Sequence, residues 1–421
     1  MNLYMDGTLS LTNQHVSMLI PPKVLDKGLL YVGGARSGKT SAILQLADQI
    51  DAVVDHVTKV YFDTRRDYLR RYYRPGDIIL SLYPEPGYPI SESWSLMAEA
   101  KADLNSPEDS LKELCNMLYE EQIRKSNQQF FPKSGRDIFE AVLLTMMRNC
   151  GSYTMPNKDM IETIKSMTAE DYLYRLSLYP DLIGLSSVIP HTPGDPVIAQ
   201  TAGVLAEISD MVRNTFVGQY AGTGRLSVRE FLRNPKGRSM FILFQYGNKE
   251  ASRPINRIML DMVIKECLAG MAQKKVILYL DEWPLVPKLS YLRDGLSFGA
   301  GTGAGLNIIC GCQNVSQVLD NYSEYGGKAL LEGFGSIVAF HPNQKPTRDF
   351  IKDFFGSRYE SGGSYGDVFS ADRRGKAAPG IHEFPAVKDE TLYRLITGEA
   401  VIGFVGTSPV SFQFDLPTER E

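Results

Sequence analysis

Residues Gly33-Gly34-Ala35-Arg36-Ser37-Gly38-Lys39-Thr40 fit the pattern G-x-x-x-x-G-K-[ST] in full. Glycines at those places let backbone N–H groups turn inward around phosphate oxygens. A lysine at the seventh place reaches β- and γ-phosphates, and the hydroxyl after it can ligate Mg²⁺. The expected cofactor-binding set is Gly33, Gly34, Ala35, Arg36, Ser37, Gly38, Lys39, Thr40 and Ser41. The expected cofactors are ATP and Mg²⁺.

Such a loop needs a carboxylate at the tip of a neighbouring strand to hold the metal's water shell. Five apolar residues, VILYL, end on Asp281-Glu282. Asp281 joins Thr40 as the expected metal pair, and Glu282 is the expected general base that orients water. Gln313 ends the run NIICGC. Its amide either touches the γ-phosphate, making it a third catalytic candidate beside Glu282 and Lys39, or is a solvated loop residue. Asp63 ends another apolar run. It stands either at the ligand edge of the sheet or as an ordinary strand terminus.

The elements that position these residues are legible in outline. Gly28–Val32 reads as a strand leading into the glycine loop, and TSAILQLADQI as the helix behind it. Lys59–Phe62 follows as a second strand, giving a βαβ unit. Strand-like runs are scarce between residues 100 and 225. There Ser106 and Pro107 open a helix carrying Leu111, Leu114, Cys115 and Leu118 on one face. The stretches Arg136–Asn149 and Ile198–Thr215 have the same period. Apolar strands return at Met240–Phe244, Val276–Leu280, Asn307–Cys312 and Ser336–Phe340, with a helix at Ile255–Leu268. Ala400–Val405 and Val410–Phe414 are spaced for a hairpin. The Gly-, Ser- and charge-rich stretch Glu360–Gly380 reads as a mobile loop. The fold class expected is α/β with a mainly parallel sheet. The expected domains are 1–96 (phosphate loop), 97–226 (all-α insertion) and 227–421 (carboxylate strand, Gln313 and terminal strands).

Composition narrows the partners. The 421 residues carry a net charge of −4, so nucleic-acid binding would need a local basic lining. Arg65, Arg66, Arg70, Arg71 and Arg74 alternate with Tyr68, Tyr72 and Tyr73. That run either grips a nucleic-acid backbone or forms a solvated helix face or subunit contact. Five cysteines without a CxxC pair read as buried reduced thiols, not a zinc site. No run of 18 apolar residues occurs, and the N-terminus lacks the pattern of a signal peptide.

Three blocks together resemble a known family. GGARSGKT comes first. VYFDTRRDYLRRYYRPGDIILSLYPEPGYPISESWSLM follows, with Trp94 at the family's tryptophan. DEWPLVPKLSYLRDGLSFGAGTGAGLNIICGCQNVSQVLDNYSEYG is the third, with Gln317 and the pair Tyr325-Gly326 in place. The chain is similar to the cytoplasmic ATPase part of conjugative type IV secretion coupling proteins. This is the TraD/TraG/VirD4 group, related to FtsK- and HerA-type DNA pumps. The resemblance implies a RecA-like P-loop domain interrupted by an all-α domain. It also implies a hexameric ring with ATP sites between neighbours, the isolated subunit being a monomer as the alternative. The implied work is delivery of DNA with its relaxase, or of protein substrates, to a secretion channel. The implied place is the cytoplasmic face of the inner membrane, through partners or a missing anchor. Two departures stand out. Family members begin with transmembrane helices, and none is legible here. The family's "GR..G" arginine, a candidate trans-acting finger, falls at about Thr302, leaving Arg293 or another arginine to substitute. Two alternatives follow: a weakly hydrolysing nucleotide-binding adaptor, or a DNA pump outside secretion.

Overall fold

A computed structural model describes residues 3–52, 56–90, 92–189, 197–286, 288–362, 380–404 and 407–415. In chain order the strands are β1 (Leu3–Leu9), β2 (Gln14–Ile20), β3 (Leu29–Val32), β4 (Val57–Asp63), β5 (Ile78–Leu80), β6 (Met240–Leu243) and β7 (Lys275–Leu280). Then come β8 (Leu306–Cys312), β9 (Ser336–Phe340), β10 (Ser357–Gly362), β11 (Gly380–Pro385), β12 (Glu399–Gly403) and β13 (Val410–Phe414). The chain divides into two compact units. One comprises Met1–Ala52, Asp281–Pro284 and Ile308–Glu421; the other comprises Val53–Leu280 and Leu285–Asn307.

In the first unit the strand order is β2-β1-β13-β12-β9-β3-β8. β3 lies parallel between β9 and β8. The remaining pairings, β9–β12, β12–β13, β13–β1 and β1–β2, are antiparallel. All four residues of β3 are fully buried, which is why its sequence is apolar without alternation. β1 instead alternates between buried and half-buried positions. It packs on the helix Lys39–Asp51, where Gln45 and Gln49 each exchange two hydrogen bonds with the backbone of Asp6 and Tyr4. The expected hairpin of terminal strands is present as β12–β13. The stretch 363–379, expected as a mobile loop, lies outside the described residues.

In the second unit β7-β4-β6-β5 form an all-parallel set. Between β5 and β6 the elements of the described residues are helical, apart from one isolated bridge. That bridge pairs Trp94 with Leu226 at the two ends of the helical stretch. Ser95 N–H donates to the Leu226 carbonyl at 3.0 Å, and Leu226 N–H to the Ser93 carbonyl at 3.2 Å. The Ser106 hydroxyl caps the helix Pro107–Lys125 by accepting from Asp109 N–H, and Leu111, Leu114, Cys115 and Leu118 are buried on its inner face. The helix expected from Ile255 starts six residues earlier, at Lys249, with Pro254 tolerated in its second turn.

One buried cluster ties the helical stretch to the helix Lys249–Leu268 of this unit. Arg229 and Glu99 are 1% and 0% exposed. The Glu99 carboxylate accepts from Trp94 Nε1 at 2.9 Å and Val228 N–H at 2.7 Å. Arg229 donates to Ser110 Oγ at 2.7 Å and lies 3.3 Å from Asp103 and 3.9 Å from Glu266. Burial pushes the Glu99 carboxyl above the usual range, while Arg229 and these hydrogen bonds pull it back. Replacing Arg229 with Met strands a buried carboxylate, so it is expected to cost ~3–5 kcal/mol in urea unfolding. Glu99→Gln, which retains hydrogen-bonding capacity, is expected to cost clearly less.

Candidate nucleotide-binding site

The glycine loop is fixed at both ends by its sheet neighbours. Gly33 N–H donates to the Cys312 carbonyl at 3.2 Å, and Gly34 N–H to the His341 carbonyl at 2.7 Å. Gly38 sits at φ +108, a region closed to most side chains, and a Cβ there would lie 2.9 Å from the Gly398 backbone. The chain then turns into the helix Lys39–Asp51, whose N-terminus faces the loop.

Lys39 is 6% exposed. Its ammonium curls over the loop and donates to the carbonyls of Gly33 and Gly34, at 2.7 Å each. The Ser37 hydroxyl is buried with no hydrogen-bond partner. A buried cation at a glycine loop ahead of a helix N-terminus, beside an unsatisfied hydroxyl, fits a polyphosphate.

Asp281 and Glu282, in the same unit as the loop, lie beside it. Thr40 Oγ1 lies 3.3 Å from both carboxylate oxygens of Asp281. A hydroxyl and a carboxylate that share a position suit a hard, oxygen-seeking cation such as Mg²⁺. Gln313 Nε2, at the end of β8, donates to Glu282 Oε2 at 2.6 Å. Asp281 and Glu282 are 6% and 8% exposed, so their charges act with little screening. The strand ends are packed backbone to backbone, since a Cβ on Gly311 would lie 1.9 Å from the Asp281 carbonyl oxygen. Beyond Glu282, Trp283 is fully buried and stacks on Phe334 at 5.6 Å, and Asn321 donates to the Pro284 carbonyl at 2.9 Å. Burial, then Glu282, push the Cys312 thiol up to about 12.

The residues expected at the loop, at the β7 tip and at Gln313 thus lie together in one unit. Asp63 does not join them. Its carboxylate accepts from the N–H groups of Arg65 (3.1 Å), Arg66 (2.7 Å) and Leu69 (2.9 Å), which ties down the turn into the short helix Asp67–Tyr72. The interleaved Arg/Tyr run also separates. Tyr68 and Tyr72 are buried and stack on Tyr61 at 5.3 and 5.6 Å, so they are core and not a base-stacking platform. Arg66 pairs with Glu85 at 2.7 Å, while Arg65, Arg70, Arg71 and Arg74 are exposed. The Thr302 hydroxyl is committed to the carbonyls of Cys267 and Gly299, at 3.1 Å each, and Arg293 is exposed on the helix Leu292–Phe298. Gly311 and Trp283 belong to none of the phosphate-loop, carboxylate or glutamine signals in the sequence. A glycine two places before Gln313, inside an apolar strand, was the available signal for the first.

A model of the type IV secretion-system coupling protein DNA-binding domain matches residues 13–411. The chain belongs to this family. Conjugal transfer protein TraG of Escherichia coli is 23% identical over 158 residues, 35% of this chain and 25% of that protein. The matched chain therefore spans about a quarter of this curated relative's length. Among solved structures, the bacterial conjugative coupling protein TrwBdeltaN70 in its unbound form superposes with a TM-score of 0.73 and 20% identity, covering 95% of this chain and 87% of that one. Plasmid coupling protein TrwB in complex with ADP and Mg²⁺ gives 0.71 and 18%, covering 99% and 95%. Its complex with the non-hydrolysable ATP analogue ADPNP gives 0.72 and 19%, covering 95% and 88%. The shared fold is an α/β RecA-like P-loop domain with an all-α domain. Among the described residues, no helix of this coupling-protein family member is long and apolar enough to cross a membrane.

Gly311→Ala is expected to separate β8 from the Asp281 backbone and lower stability by about 2 kcal/mol or more. Thermal unfolding checks this, with Gly301→Ala, where an added Cβ meets nothing within 4 Å, as the near-neutral control.

Proposed function

We propose that this chain binds Mg·ATP at Gly33–Ser41 and hydrolyses it to drive substrates into a conjugative type IV secretion channel. The observation that carries the reading is the joint geometry of Thr40–Asp281 and Gln313–Glu282 beside the curled Lys39. Lys39 exchanges the Gly33 and Gly34 carbonyls for phosphate oxygens. Loop amides and the Ser37 hydroxyl hold the remaining oxygens. Thr40 and Asp281 would hold a Mg²⁺ ion, which would offset charge on the phosphates. Glu282 accepts the proton of the attacking water. Gln313, hydrogen-bonded to Glu282, keeps that carboxylate aimed and couples its position to the occupied loop.

The transported material is DNA with its relaxase, or protein. Family membership in a DNA-binding domain class supports DNA as one partner. A hexameric ring of this chain, docked at the cytoplasmic face of the inner membrane by channel components or an anchor, completes the reading. Residues 97–226 act as its all-α insertion domain, a boundary supported by the Trp94–Leu226 bridge.

One observation favours a second reading, a weakly hydrolysing adaptor that recruits substrates through its helical domain. Thr302 replaces the family's arginine, and its hydroxyl is spent on backbone carbonyls. An arginine finger is worth ~10³–10⁵ in rate.

Phosphate release separates the two. Glu282→Gln is expected to slow release by about 100-fold or more while ATP affinity stays within about threefold of wild type. Equal, negligible rates in both proteins favour the adaptor. Lys39→Ala is expected to weaken ATP binding by roughly 10- to 100-fold in a titration calorimeter, the loss of charged hydrogen bonds to phosphate.

A further inference from the structure

The turn Ile396-Thr397-Gly398-Glu399 is clamped to the phosphate loop. Gly398 N–H donates to the Ser37 carbonyl at 2.8 Å, and Thr397 Oγ1 to the Arg36 carbonyl at 3.5 Å. On its other side, Phe414 N–H donates to the Gly398 carbonyl at 2.9 Å and Gln413 Nε2 to the Thr397 carbonyl at 3.4 Å. Within the turn, Glu399 N–H closes onto the Ile396 carbonyl at 3.0 Å, and Gly398 at the third place has φ +85. That is the geometry a type II turn demands, with glycine where φ must be positive. Gly38 and Gly398 meet without side chains between them, so the turn and the loop approach as closely as two backbones can.

This rigid turn holds Ile396 at its first place, 65% exposed. The neighbouring Leu395 is 7% exposed, so the chain has buried one apolar residue and presented the next. A single exposed isoleucine is ordinary on a protein surface. Here it is fixed by four hydrogen bonds to the two sides of the turn, next to the loop that fits a polyphosphate. The turn precedes β12, which runs antiparallel to β9, so it lies at the same sheet edge as the loop. Its side is that of β9, away from the side of β8 where Gln313 and Glu282 sit. A nucleotide whose terminal phosphate meets Glu282 must send its nucleoside half elsewhere.

We propose that Ile396 is the platform on which the nucleotide's base rests, with Thr397 and Gly398 fixing its distance from the phosphate loop. The inference rests on the nucleotide-binding reading and deepens it. Ile396 offers an apolar face and no hydrogen-bond donor or acceptor. Such a surface holds any purine ring and rejects none by its edge. Such a platform does not tell one purine from another, so ATP and GTP are expected to bind within about threefold of each other.

The test titrates the purified full chain, in Mg²⁺ buffer, with ATP, GTP and inorganic tripolyphosphate. Ile396→Asp and Ile396→Ala are compared with wild type, and an exposed position keeps both variants folded. The expected result for Ile396→Asp is ATP and GTP affinities lowered about tenfold, with tripolyphosphate affinity changed by less than twofold. Ile396→Ala falls between. Wild-type ATP affinity retained in Ile396→Asp overturns the platform. So does an equal loss for tripolyphosphate, which means the substitution has disturbed the loop. If the wild type binds none of the three, the nucleotide-binding reading itself fails, and the platform with it.

Discussion

A Cβ at position 311 would lie 1.9 Å from the carbonyl oxygen of Asp281, so Gly311 and Asp281 touch through backbone alone. Much of the site depends on that contact. It sets Asp281 across from Thr40 and brings Gln313 within 2.6 Å of Glu282. The loop shares the constraint from the other side, because Gly33 N–H bonds to the Cys312 carbonyl one residue beyond Gly311. A side chain at any of these glycine positions would move a carboxylate or a phosphate ligand. Pre-set geometry of this kind lets a site stabilise developing charge without reorganising.

The loop is held in tension between two sets of demands. Lys39, Thr40 and Gln313 are each satisfied by protein atoms: carbonyls, the Asp281 carboxylate and the Glu282 carboxylate. A bound polyphosphate and cation would take over these partners one by one. Exchange of partners costs little because no buried charge is ever left bare. The fully buried Trp283 and the Asn321–Pro284 hydrogen bond keep the carboxylate strand's exit from yielding while the side chains re-pair.

The chemistry was legible in the sequence because it is written in residue type and spacing: GGARSGKT, an apolar run ending in Asp281-Glu282, and Gln313 after NIICGC. The central strands were legible for a related reason, their apolar residues being buried on both faces. The β1–β2 hairpin was not. Its inward apolar row is interrupted by Gly7, and its burial comes from β13 and from Gln45 and Gln49, all distant in sequence. β5, at three residues, is too short for any period to show. Pro254 hid the first turn of the helix Lys249–Leu268. Asp63 and the Arg/Tyr run each kept two readings open in the sequence, because composition does not tell which face is buried. Tyr68 and Tyr72 went to the core, and Asp63 to the turn that enters a short helix.

In the proposed site Thr40 and Asp281 hold one cation together. A double-mutant cycle reads this directly: the Mg²⁺ dependence of ATP affinity in wild type, Thr40→Ala, Asp281→Asn and the double variant. Two ligands of one ion predict that each single variant loses most of the Mg²⁺ dependence and that the double variant loses scarcely more, a coupling on the order of 1–3 kcal/mol. Additive losses, with coupling near zero, would contradict a shared ion and with it the account of the site.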